Sequence, residues 1–137
     1  MSSAEIAARL RIEPDKSLVR GSRQADPPIP AEHAWEIICD ERSMTVEEHV
    51  RRVIDRLRLQ QDAIAELTRE PAPRCAAQLS VVRYFGDDEG EEEELSPPGA
   101  RFQKIPGQHQ LLGWHLDRDT LKFLIAVHAE LDVDEYG

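Results

Sequence analysis

Two sets of side chains in this sequence are of types that do chemistry: five histidines, and a dense run of carboxylates. His33, His49, His109, His115 and His128 form no HxH, HxxxH or HExxH pattern, so no local metal-ligand spacing is present. His109 and His115, joined by Asp87 or Glu91, would offer mixed imidazole and carboxylate ligands suited to zinc or manganese. Nothing in the spacing draws them together, and neither a metal ion nor another cofactor is expected. Asp132, Asp134 and Tyr136 alternate, which places them on one face of a strand. Two carboxylates and a phenol can exchange protons with a substrate; on a sheet edge they equally serve as charges that discourage edge pairing. His115, Asp134 and Tyr136 are therefore the candidates for a small pocket near the strand ends. The sequence has no G-x-S-x-G elbow, no Walker loop and no G-x-G-x-x-G turn, and no catalytic residue is assigned.

The carboxylate run comprises Asp87, Asp88, Glu89, Glu91, Glu92, Glu93 and Glu94, interrupted by Gly90 alone. It lacks the alternating oxygen ligands and fixed glycine of a calcium-binding loop. It reads as a solvated loop, with docking of a basic protein partner as its functional alternative. The chain carries 27 acidic and 17 basic residues, a formal net charge of −10, and this run holds seven of those charges. Nucleic acid and anionic membranes are thus disfavoured as partners, most strongly near the run. The N-terminus lacks the basic-then-apolar order of a signal peptide. Cys39 and Cys75 lie far apart in apolar stretches without CxxC spacing, as expected of buried thiols in a cytoplasmic protein.

The elements that position these residues follow from periodicity and capping. Ser2 and Glu5 have capping-box spacing for a first helix, which ends near Ile12 because Pro14 disfavours helical geometry at Glu13. Residues 15–33 read as irregular, and 34–39 alternate as a strand with Trp35, Ile37 and Cys39 on one side. Thr45 and Glu48 form a second capping box. Val46, Val50, Val53 and Leu57 then share a narrow arc. Gln60 and Gln61 interrupt that stripe, which allows one helix over 46–69 or two helices broken near 60. Glu47–Arg51 and Glu48–Arg52 have favourable i, i+4 spacing on a solvated face. Residues 75–85 and 111–116 read as strands, with Trp35 and Trp114 as core aromatics. Asp117 or Asp119 caps a last helix whose apolar side runs from Leu121 to Leu131 and includes His128 as a hydrogen-bonded core or interface residue. The tail, 131–136, alternates as a closing strand.

The length and order suit a single α+β domain over 1–137, with an acidic insertion at about 86–110. The expected architecture is a single layer of helices on a mainly antiparallel sheet, with a ferredoxin-like tendency.

The chain resembles a family of bacterial proteins, domain of unknown function 4279. The likeness is carried by the first helix running into Leu10-Arg11-Ile12-Glu13-Pro14, by Gly21, and by Trp35 opening a strand. The helix after Thr45, the segment from Gly113 to Leu131, and the ending Asp132-Val133-Asp134-Glu135-Tyr136 continue it to the C-terminus. Arg11 stands where the family commonly has glycine. The resemblance also implies a strand ahead of the first helix, for which this sequence has no residues. A start codon placed too late, or another chain filling the gap, is the expectation, with open ladder groups and exposed apolar surface in the sheet.

The function these readings favour is a small non-catalytic binding or regulatory module, an immunity-like role being one form of it, with a basic protein as partner and homo-oligomers allowed. The alternative is a small-ligand- or metal-binding enzyme using a pocket near the strand ends.

Overall fold

A computed structural model describes residues 1–23, 26–27, 29–41, 44–69, 75–84 and 113–136. The acidic run, His109 and Leu111–Leu112 lie outside the described residues.

Helix α1, Ser3–Leu10, starts on the anticipated capping box. The Ser2 hydroxyl accepts from the Glu5 amide, and the Glu5 carboxylate accepts from the Ser2 amide at 2.7 Å. The helix stops at Leu10, two residues short of Ile12, because Arg11 takes a left-handed conformation with φ 53° and ψ 34°. That region crowds the Cβ of an L-residue and favours glycine at a helix end. Arg11→Gly is expected to raise stability by about 1 kcal/mol, measured as a higher urea midpoint, since glycine relieves the strain at some cost in unfolded-state entropy.

Within the segment read as irregular, Lys16–Leu18 forms strand β1, antiparallel to β2 at Ala34–Glu36. β2 is shorter than the alternation over 34–39 suggests. The Ile38 amide donates to the Asp15 carboxylate at 2.7 Å instead of continuing a ladder. Arg56, from α2 (Val46–Leu57), closes on the same carboxylate with two bonds of 2.6 and 2.9 Å and so ties the β1–β2 pair to the helix. The Arg56 guanidinium first, then the Ile38 amide, hold the Asp15 carboxyl below its ordinary 3.8. A carboxyl lowered in the folded state stabilises fully above its unfolded value and loses that contribution as pH falls through the folded one. Asp15→Asn should therefore lower the urea midpoint at neutral pH, and its gap to the natural chain should narrow as pH drops below 3.8.

Helix α2 has the second capping box, Thr45 with Glu48, and buries Val50 and Ile54. A 3-10 turn at Arg58–Gln60 separates it from α3, Gln61–Thr68, so the glutamines do mark a break. Buried Thr68 donates its hydroxyl to the Val127 carbonyl at 2.8 Å, with the Ile64 carbonyl 3.1 Å away. This bond joins the end of α3 to the end of α4, which spans Arg118–Ala126 and is capped by Asp117.

Strands β3, Ala77–Tyr84, and β4, Ala129–Tyr136, pair in parallel through eight in-register positions. The strands differ from the expected single sheet. The described strands form two separate two-stranded sheets rather than one ferredoxin-like sheet, and the longer pair is parallel rather than antiparallel. Residues 113–117 are not a strand either. Parallel partners share a face, so Leu79, Val81, Leu131 and Val133 all point to one side. Val50, Ile54, Val81, Phe123, Leu124 and Val127 form the core there, with Leu79 and Trp114 packed against it. The cover stops short of β4: Leu131 remains 46% exposed and Val133 40%.

Helix α4 also differs from expectation. It ends at Ala126, and His128 sits exposed in the turn to β4 with φ 52°, not on an apolar helix face. The helix buries the face of Thr120, Phe123 and Leu124, which leaves Ile125 on the far side, 75% exposed. Trp35 is half-buried, and its indole N–H is enclosed without a partner among the described residues. Cys39 and Cys75 are free and half-buried, and burial raises the Cys75 thiol above its ordinary 9.0, consistent with an unreactive group. No helix among the described residues is long and apolar enough to cross a membrane.

Candidate functional site

The three pocket candidates divide between two places. His115 stands just ahead of α4, where the N-terminus of that helix meets the N-terminus of α2. Its amide donates to Glu47 Oε1 at 3.1 Å, and its ring Nδ1 lies 3.3 Å from the same oxygen. Spacing alone pairs Glu47 with Arg51. The structure turns both residues away from each other: Arg51 reaches Asp117 at 3.7 Å, while Glu47 takes His115. The Glu47 amide and then the His115 amide hold the Glu47 carboxyl below its ordinary 4.5, against the opposing effect of partial burial. Asp117 is lowered chiefly by the Thr120 amide that it caps.

The cleft between these side chains, lined by Val50 and Thr120 among others, has a volume of about 10 Å³. That is room for one water molecule and no substrate. Among the described residues no group of three His, Cys, Asp or Glu side chains is placed to hold a metal ion. A shallow depression of about 500 Å³ beside Met44 is lined by Arg51, Arg52 and Arg56. Arg51 and Arg56 are committed to Asp117 and Asp15. The junction can order the two helix starts; its cleft has room for about one water.

Asp134 and Tyr136 lie elsewhere, on the outward face of β4. No hydrogen bond or ion pair among the described residues joins them to His115. Tyr136 stacks on Tyr84 of β3, ring centroids 5.4 Å apart and planes 19° apart, and both rings are exposed, at 52% and 64%. Register puts Glu130, Asp132 and Asp134 in file on this face, opposite Gln78, Ser80 and Val82. Gln78 donates to Asp132 at 2.7 Å. Arg83 pairs with Glu135 at 2.8 Å on the other face. Tyr84 and Val82 were not anticipated as members of a site. Both strands alternate and both end in tyrosine, a signal that becomes readable only when their parallel register is known.

A stacked, exposed aromatic pair next to Asp134, with Asp132 and Glu130 further along the same face, can attract cations: rings through their negative faces, and carboxylates through charge. The family model Domain of unknown function (DUF4279) matches residues 1–137. The chain belongs to the DUF4279 family. No curated protein and no solved structure matches it. In this DUF4279 chain the Asp-Val-Asp-Glu-Tyr ending, residues 132–136, forms most of β4.

Proposed function

We propose that this DUF4279 chain is a non-catalytic cytoplasmic binding module, of regulatory or immunity-like type, whose partner is a basic protein. The observation that carries the reading is the outward face of β3 and β4. There Val82, Tyr84 and Tyr136 are exposed beside Glu130, Asp132 and Asp134. Exposed apolar and aromatic groups bordered by charge of one sign suit a protein surface of the opposite sign. Neither nucleic acid nor membrane has matching chemistry, because both present negative charge. The acidic run, Asp87 to Glu94, would add long-range attraction to the same partner.

Titration with a soluble Arg-rich peptide tests the reading by isothermal calorimetry and amide chemical shifts. Binding that moves the β3–β4 amides and weakens in Tyr84→Ala and Asp134→Asn variants supports it. Absence of binding at low salt would sink it. Deletion of 87–94 serves as the comparison for the acidic run: unchanged affinity would remove the run from recognition. The small-ligand or metal enzyme is the weaker reading, given the one-water cleft beside His115. It would regain ground if any metal or metabolite raised the melting temperature by binding the folded state.

A further inference from the structure

The two faces of β4 and its edge differ in a way that selects a particular occupant. Among the described residues β4 has β3 on one side and no strand on the other. A strand edge without a ladder partner presents amides and carbonyls that template a further strand. On its core-facing side, Leu131 and Val133 lie beyond the helical cover and stay exposed, whereas Val81, the β3 partner of Val133, is buried and Leu79, the partner of Leu131, is half-buried. On its outward side, Glu130, Asp132 and Asp134 recur at every second residue. β3 offers a poorer edge, since Val81 is already covered and Gln78 and Ser80 on its outward face are neutral.

We infer that the outer edge of β4 takes up an extended segment of a partner protein in which Lys or Arg alternates with apolar residues. The inference rests on the partner-binding reading above and specifies its mode, strand addition. An added strand would sit about 4.8 Å away, with its facing side chains about 5 Å from those of β4. Its basic residues, two apart, would fall opposite the three carboxylates, and its apolar residues would cover Leu131 and Val133. Charge decides against a second copy of this chain. Any in-register pairing of two β4 strands sets carboxylates against carboxylates, which is unfavourable directly across a ladder. The acids therefore discourage self-pairing and leave the edge open to a strand of opposite charge.

The test uses the full chain and short synthetic peptides. One alternates Lys with Val, a second carries Glu in place of Lys, and a third has alternate backbone nitrogens of the first methylated to remove ladder donors. The Lys peptide is expected to slow hydrogen exchange of β4 amides. Asp132→Asn with Asp134→Asn should weaken its binding about tenfold, two cross-strand charge pairs being lost. The methylated and Glu peptides should bind far more weakly. Equal binding of the methylated peptide, or binding without protection of β4, overturns strand addition. If such binding still moves the Tyr84 and Tyr136 face, partner binding stands and only its mode fails. Self-association of the chain that is abolished by the same Asn variants would assign the edge to a second copy and overturn the partner assignment.

Discussion

Phe123→Ala is expected to remove about 3–5 kcal/mol of folding stability, the range for truncating a buried aromatic ring. Phe123 is 4% exposed and belongs to the cluster in which α2, β3 and α4 meet. Helix α4 has nine residues, too few to be stable alone in water, so its position depends on that face. Removing the ring both withdraws apolar area and leaves a cavity where the elements meet. A domain of this size is stable by only about 5–15 kcal/mol, so the variant should lose a large part of its urea midpoint. Ile125→Ala, two residues along the same helix, is the control. Its side chain is largely in solvent, and its effect should stay within about 0.5 kcal/mol. Equal losses at both positions would show that helix propensity, not packing, governs α4.

The second large effect is expected at Thr68. Its hydroxyl donates to the Val127 carbonyl at a buried point between the ends of two helices. Thr68→Val keeps the shape and removes the donor, leaving that carbonyl without its partner away from water. The cost should be about 1–3 kcal/mol in urea unfolding. Thr68→Ser retains the hydroxyl and should recover most of that difference. A valine variant as stable as the natural chain would mean that water or the Val127 environment satisfies the carbonyl.

Local chemistry was readable from the chain, and pairing over distance was not. Ser2–Glu5, Thr45–Glu48 and Asp117 mark three helix starts because capping depends on residues three apart. Gln60 and Gln61 interrupt an apolar stripe, which allows either a continuous helix or a break; the chain takes the break, a 3-10 turn at Arg58–Gln60. β1 escaped notice because three residues give no period, and its partner lies beyond a proline-rich segment. The parallel pairing of β3 and β4 escaped for a different reason. Alternation reports which faces a strand has but carries nothing about the direction of its neighbour. The same limit hid the site. Glu47 has a basic residue four positions along, yet its partner is His115, 68 residues away. Tyr136 could be placed on a face with Asp134, but not against Tyr84.

The register of β3 and β4 also bears on how the chain folds. Ala77 meets Ala129, and every other pair is likewise 52 residues apart. Closing so long a loop costs chain entropy, about 0.6 kcal/mol more for each doubling of length, before any ladder bond compensates for it. The capped helices and the β1–β2 pair involve shorter closures and should order first. β4 is then the last strand to find its partner during refolding. A hydrogen-exchange pulse early in refolding should label β4 amides while those of α2 are already protected. The strand left least covered in the finished molecule would also be the one exposed longest on the way to it, where its row of like charges guards against pairing with the same strand of another folding chain.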